Sequence, residues 1–272
     1  MSQKEVNKAI FDSSATTYDS DFTFTEIGKL QRNRVYDFLT KNILTPHKLS
    51  VLEMNCGTGE DALWLVKQGC EVTATDASSK MIEVCKNKTN SKPSTLNPKF
   101  SVAKFNEIKS KQEGQKFDLI FSNFGGLNCV DAVELKLVLN DFSSLLNPNG
   151  RMVFVIMGRK CIWERIYFLM KLNFKGAFRR ISRQPVPAHV LEGSMQNTFY
   201  FSPHEVVESA GEKLKHISTK PIGLFIPPPY LEKFFSNKKV LLGILNRLEK
   251  MIGKFSFLSD YADHYLIAFE KR

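Results

Sequence analysis

Absences narrow this chain of 272 residues first. No apolar run approaches the ~18–20 residues a membrane helix needs; the longest, such as Val240–Leu245, break off far earlier. Met1–Ile10 is polar and lacks the apolar stretch of a secretory signal. Cysteine is scarce: Cys56, Cys70, Cys85, Cys129 and Cys161 are odd in number and contain no C-x-x-C pair. That pattern suits reduced thiols in a cytoplasmic setting better than a disulfide framework or a zinc site. There is no internal repeat and no low-complexity tract. What is present is an ordinary globular mixture, 43% apolar and 24% charged, long enough to bury a large core.

The net charge of +10 is unevenly placed. Arg159–Arg183 holds eight basic residues and one acid, Glu164, and Ile226–Phe257 holds six basic residues against Glu232 and Glu249. The rest of the chain is close to neutral. Aromatic residues interleave with the basic ones, among them Trp163, Tyr167 and Phe174 in the first segment and Tyr230, Phe234 and Phe257 in the second.

Between and around these segments the chain alternates in period. Residues 1–45 read as helical. Short apolar strands are expected at Val51–Met54, Glu71–Thr75, Lys99–Ala103, Phe117–Ser122 and Arg151–Met157, with helices at Gly59–Gln68, Ser79–Asn87 and Ala132–Leu146. Ser202-Pro203-His204-Glu205 is a capping box with proline at the first helical position, so a helix begins there. Leu214–Thr219 and Ala262–Phe269 complete the strands. Strand–helix alternation with short connections means an α/β, doubly wound, Rossmann-like sheet. In such sheets ligands bind at the carboxyl ends of the strands.

Glu53-Met54-Asn55-Cys56-Gly57-Thr58-Gly59 lies at the first strand-to-helix turn. Small residues there let backbone N–H groups approach a ligand at a helix N-terminus. Gly57, Gly59 and Ala62 also satisfy the G-x-G-x-x-[GA] dinucleotide pattern, which keeps a nicotinamide enzyme in view. Two acids argue against it. Glu53 inside the turn suits a cationic amino group better than a pyrophosphate, and Asp76, ending the second strand, suits a pair of ribose hydroxyls.

With Thr75-Asp76-Ala77-Ser78, Phe117-Asp118-Leu119-Ile120 and Leu146-Asn147-Pro148-Asn149-Gly150-Arg151 following in order, the chain resembles the small-molecule branch of the class I S-adenosylmethionine-dependent methyltransferases. The resemblance covers most of Phe11–Gly158, the Tyr200–Thr219 region and Ala262–Phe269. It implies a single domain over residues 1–272, with a mostly parallel seven-stranded sheet whose last strand is antiparallel. It also implies a helical lid, residues 1–45 at the N-terminus, with the basic aromatic insertions 159–201 and 222–258 over the active site. S-adenosyl-L-methionine is then the expected cofactor, held by Tyr18, Glu53, Asn55, Cys56, Gly57, Gly59, Asp76, Ala77, Met81, Lys104, Phe105 and Asn123. Tyr18 belongs to the lid-like opening Phe11-Asp12-x-x-Ala15-x-x-Tyr18-Asp19. The chain departs from the family at Asn55, where glycine is usual, and at Lys104-Phe105, where an acid usually meets the adenine.

Ser122-Asn123-Phe124-Gly125-Gly126-Leu127-Asn128 lacks the Asp/Asn-Pro-Pro-aromatic loop of many nucleic-acid and protein amino-methylating members. The expected reaction is therefore O- or C-methylation of a small lipophilic or anionic acceptor. The basic lid also suggests contact with an anionic membrane, and leaves RNA as an alternative acceptor; a non-catalytic binder of the cofactor or its product is a third reading. For proton transfer the candidates are His264 with Asp263, at the start of the last strand, and His189 in the lid. His47, His204 and His216 read as surface or helix-end residues. No metal is expected.

Overall fold

In the first strand, β1 (Ser50–Met54), four consecutive residues are buried, because both of its faces are covered. The computed structural model describes residues 11–90, 97–191 and 194–272. Around β1 stand β2 (Glu71–Asp76), β3 (Lys99–Val102), β4 (Phe117–Ser122) and β5 (Leu146–Met157), all parallel. A short hairpin of β6 (Val186–Leu191) and β7 (Ser194–Thr198) stands apart as its own two-stranded sheet. β8 (Leu214–Ile222) and β9 (His264–Lys271) complete the main sheet in the order β3-β2-β1-β4-β5-β9-β8. Since β9 runs antiparallel to both β5 and β8, it is the one reversed strand of the seven. The fold is the Rossmann-like α/β sheet expected.

Strand side chains alternate between two cores, as a period of two requires. Leu52, Ile120, Phe154 and Tyr265 face one side, packed against α4 (Phe105–Lys111), α5 (Ala132–Leu145) and α7 (Pro203–Ala210). Val51, Phe121, Val153 and Leu266 face the other, against α1 (Glu26–Asn42), α2 (Glu60–Lys67) and α3 (Ser79–Asn90). The capping box forms: Ser202 Oγ accepts from Glu205 N–H at 3.3 Å, and Glu205 accepts from Ser202 N–H at 2.7 Å.

Three features differ from the expected elements. β5 starts at Leu146, ahead of the Asn-Pro-Asn-Gly turn: Leu146 pairs with Phe117, Arg151 with Leu119, and the residues between bulge out around Asn149 at φ 60°. α4 begins immediately after β3. The β6–β7 hairpin is absent from the sequence reading, because proline and polar residues interrupt its alternation.

Two helices, α6 (Ile162–Met170) and α8 (Lys239–Ile252), come from the basic segments. A third small core joins them to the N-terminal helix: Ile27, Ile226, Phe235 and Leu242 are buried together, with Trp163 and Leu245 packed on them. Among the described residues no helix is long and apolar enough to cross a membrane.

Candidate cofactor and acceptor site

The β1–α2 turn is built from left-handed residues. Asn55, Gly57 and Gly59 have φ of 47°, 53° and 79°. Asparagine tolerates this region, and here its side chain is fixed on both sides. Asn55 Nδ2 donates to the Asn123 carbonyl at 2.9 Å, and Oδ1 accepts from Ser122 Oγ at 2.6 Å. The amide thus ties the β1 loop to the end of β4. A side chain at Gly126 would run into it, with a Cβ 2.1 Å from Asn55 Cγ. Gly59 is hemmed in too, since a Cβ would lie 2.8 Å from Cys85 Sγ, whereas at Gly57 the nearest neighbour is the Tyr18 ring at 3.9 Å.

Two of the expected cofactor residues, Asp76 and Glu53, place carboxyl groups at this turn, and Tyr18 lies over it. Asp76 closes it, with Oδ2 accepting from Gly57 N–H at 2.9 Å and Oδ1 from Ser78 N–H at 2.8 Å. Burial pushes its carboxyl up to about 6 against these hydrogen bonds. Each oxygen still has a lone pair for a further donor. Glu53 is buried, and its Oε2 has no hydrogen-bond partner. Burial, reinforced by the nearby Asp61 charge, raises its pKa well above the usual carboxylate range. An unpartnered buried carboxylate is costly, so the position fits a site completed by a cationic ligand group. Tyr18 is half-buried over Gly57, and burial lifts its phenol to about 12.

The N-terminal segment is pinned onto these loops by two acids. Asp12 accepts from Ser78 Oγ, and Asp19 accepts from Thr58 Oγ1 at 2.6 Å. The remaining expected residues are arranged unequally. Met81 is buried, and its N–H donates to Ser78 Oγ at 3.1 Å; Cys56 is buried, and Ala77 is half-buried. Lys104 caps α4, where its N–H donates to Glu107 at 3.2 Å, while the Phe105 ring turns toward Phe142 of the core. Asn123 donates to Asp61 at 3.0 Å.

That last bond belongs to a buried cluster the sequence did not disclose. Asp61 also pairs with Arg32 and accepts from Tyr36 Oη at 2.7 Å. Its members come from α1, α2 and the end of β4, and only the fold brings them together.

On the acceptor side, Phe124 at φ 46° projects from the end of β4. Its ring meets Phe22 edge-on at 5.3 Å and His264 at 5.5 Å, and the Arg32 guanidinium lies 5.2 Å from its centre. His264 stands opposite Met157 and Ile222, the last residues of β5 and β8, and hence on the carboxyl rim of the sheet. Its Nδ1 is 3.2 Å from Asp263 Oδ2, off the hydrogen-bonding line. Asp263 Oδ1 accepts from Arg180 at 2.9 Å. Burial works against ionisation of Asp263, yet His264 and Arg180 outweigh it and hold the carboxyl far below the usual range. Arg180 also pairs with Glu164 at 2.8 Å, and Asn128 spans the rim by donating to Met157 and Phe199 carbonyls. Neither residue was singled out by the sequence, because each acts through partners distant along the chain.

His189 lies on β6, opposite Met195; its side chain is outside the described residues. His47 and His204 are exposed, and His216 lies 2.8 Å from Thr219 Oγ1.

Residues 51–150 match the family model described as a methyltransferase domain. Rat glycine N-methyltransferase is 31% identical over 112 residues, covering 38% of this chain and 38% of that protein. The Saccharomyces cerevisiae mitochondrial methyltransferase OMS1 is 31% identical over 146 residues, covering 48% of this chain and 30% of its own. The chain therefore spans well under half the length of these curated relatives. Among solved structures, the magnesium protoporphyrin IX methyltransferase of Synechocystis PCC 6803 superposes with a TM-score of 0.62 at 14% identity, over 99% of this chain and 100% of that one. Residues 51–150, which carry the left-handed β1 turn and its two acids, are therefore similar to a methyltransferase domain, and the sheet order agrees with that likeness.

Proposed function

We propose that the chain transfers the methyl group of S-adenosyl-L-methionine to oxygen or carbon of a small lipophilic or anionic acceptor. The observation that carries this reading is Glu53, a buried carboxylate with an unpartnered oxygen at the carboxyl end of β1, beside a left-handed turn closed by Asp76. Glu53 would receive the amino group of the cofactor, Asp76 its ribose hydroxyls, and the Gly57 loop its methionine part. Ala77 and Met81 would flank the adenine, and Tyr18 would close over the carboxylate end. The sulfonium, when bound, supplies an activated methyl group. The work left to the protein is in-line positioning in a site sheltered from water.

The aromatic wall of Phe22, Phe124 and His264 supports a lipophilic acceptor. The solved Synechocystis enzyme, named for a porphyrin substrate, shares the architecture and is in keeping with this. His264, with the Asp263 carboxylate beside it, is the candidate to take a proton from an acceptor hydroxyl or carbon acid.

Titration calorimetry tests the cofactor assignment: adenosylhomocysteine should bind and NAD should not. The reverse result would return the β1 turn to the dinucleotide-binding class. Adenosylhomocysteine release from S-adenosylmethionine, assayed against a metabolite extract with and without its lipid fraction, then tests catalysis. Release that depends on the lipid fraction is expected. Cofactor binding with no release in either extract would favour the non-catalytic reading.

The acids at the turn make binding pH-dependent. Asp76 titrates at about 6 in the free protein, and hydroxyl donors favour its ionised form. Ligand binding should therefore lower its pKa, so affinity rises with pH through about 6 and levels off above it. Glu53, raised by burial and met by a cation on binding, acts in the same direction. Calorimetry from about pH 5 to about pH 8 checks the sign.

A further inference from the structure

The acids of the two basic segments are turned inward. Glu164 is buried between Arg179 and Arg180. Glu232 accepts the Glu26 and Ile27 N–H groups of α1, both at 3.0 Å. Glu249 is fully buried and accepts from four consecutive N–H groups, Gly223 to Ile226, at 2.6–3.3 Å. On the first segment Arg159 and Lys160 are also paired, with Glu205 and Asp260. Among the described residues Arg165, Lys171, Lys175 and Arg183 have no acid partner, and the same holds for all six cations of the second segment. The outward charge is therefore almost purely positive.

Between these cations the outward face is apolar. On α6, Ile162, Ile166, Leu169 and Met170 lie on one helical stripe, all exposed, and Leu172 and Phe174 continue it. On α8 the inner stripe of Leu242, Leu245 and Glu249 packs down, leaving Val240, Ile244 and Met251 on an outer stripe with Arg247 among them and Lys239 and Lys250 alongside. Met170 and Val240 are each 81% exposed. The segments are joined beneath by Trp163 on Phe235 at 5.8 Å and Tyr167 beside Tyr230 at 5.5 Å. The two segments are thus packed into one layer, beside the carboxyl rim from which both leave the sheet. So much exposed apolar surface marks a contact site.

We propose that this layer docks on an anionic lipid bilayer, the α6 and α8 stripes entering the interfacial region and the unpaired lysines and arginines meeting the headgroups. This goes beyond the methyl-transfer reading and does not depend on it. Charge complementarity selects the occupant. A two-fold contact with a second copy would set the same unneutralised cations against each other. A nucleic acid would match the charge, yet it offers nothing to the aliphatic side chains of α6. An anionic bilayer satisfies both, since amphipathic helices rich in lysine and arginine bind such surfaces by apolar insertion plus electrostatic attraction.

The test is co-sedimentation of the full chain with phosphatidylcholine vesicles, with and without phosphatidylglycerol. Binding is expected only with the anionic lipid. It should weaken at about 1 M salt, where the Debye length is about 3 Å. Ile166→Glu/Met170→Glu should reduce binding by at least tenfold (order of magnitude) through lost insertion and added repulsion. Lys239→Glu/Arg247→Glu should do the same, whereas Lys67→Glu/Lys136→Glu, the same charge change on α2 and α5, should have little effect. Adenosylhomocysteine calorimetry on each variant separates the two readings, because lid-surface changes leave the cofactor turn intact. No vesicle binding by the wild-type chain overturns the proposal. So does equal loss in the α2/α5 control, or an α6 variant that dissociates a dimer while vesicle binding persists.

Discussion

Asp76→Ala is expected to lower adenosylhomocysteine affinity by on the order of 100-fold or more, read by calorimetry at neutral pH. Two contributions add. The carboxylate would give charge-assisted hydrogen bonds to the ribose, each worth about 1.5–3 kcal/mol. It also accepts the Gly57 and Ser78 N–H groups, so it holds the two loops between which the ligand must sit. Alanine removes both. The free protein should not lose comparable stability, because burial of Asp76 already disfavours its charge and raises its pKa. A raised acid pKa means that the folded state binds protons more readily than the unfolded chain. Asp76 therefore weakens the fold as pH rises from about 4 through about 6, and alanine abolishes that slope. Unchanged affinity in Asp76→Ala would remove the basis for the cofactor assignment.

Arg180→Met should destabilise the fold by about 3–5 kcal/mol at neutral pH, the range for breaking a buried ion-pair network from one side. Arg180 is buried, pairs with Glu164 and Asp263, also donates to the Asp263 carbonyl, and lies over the Tyr200 ring. Methionine fills much of the volume but takes the guanidinium from Asp263 and leaves Glu164 with Arg179 alone. For a chain of this size the midpoint of thermal unfolding should fall by roughly 10 °C. The pH dependence distinguishes stranded charge from simple loss of packing. In the wild type the depressed Asp263 pKa contributes stability that is complete above the unfolded value and disappears only in strong acid. In Arg180→Met, the buried Asp263 should titrate above its unfolded value, so the deficit should shrink as pH falls from about 7 toward about 5. A deficit independent of pH would assign the loss to packing. Because Asp263 also stands beside His264, the variant couples the first basic segment to the candidate base.

Much of the cofactor turn was legible before folding. Glycine at positions 57 and 59, an acid at the end of β1 and another at the end of β2 are local signals. They depend on backbone angles and strand ends that neighbouring residues specify. The sheet was legible for a similar reason: period-two apolar alternation in β1, β4 and β5 records burial on two faces. Asn55 was a departure whose backbone angle could be anticipated, yet its latch to Ser122 and Asn123 could not, because that contact spans two strands.

The composition showed where the positive charge lies but could not show which charges face water. Glu164, Glu232 and Glu249 look like ordinary surface acids in the sequence; the fold turns each inward to neutralise a guanidinium or cap backbone N–H groups. Likewise, Arg180 reads as one more basic lid residue until it is seen buried between two carboxylates. By itself, then, the sequence determined the sheet, the left-handed β1 turn and the location of the basic segments, because short-range periodicity and turn chemistry encode them. Tertiary structure alone decided the Asp61 and Asp263 clusters and the sign of the basic segments' outer surface, since these arise from side chains far apart along the chain and from which side of each helix is buried.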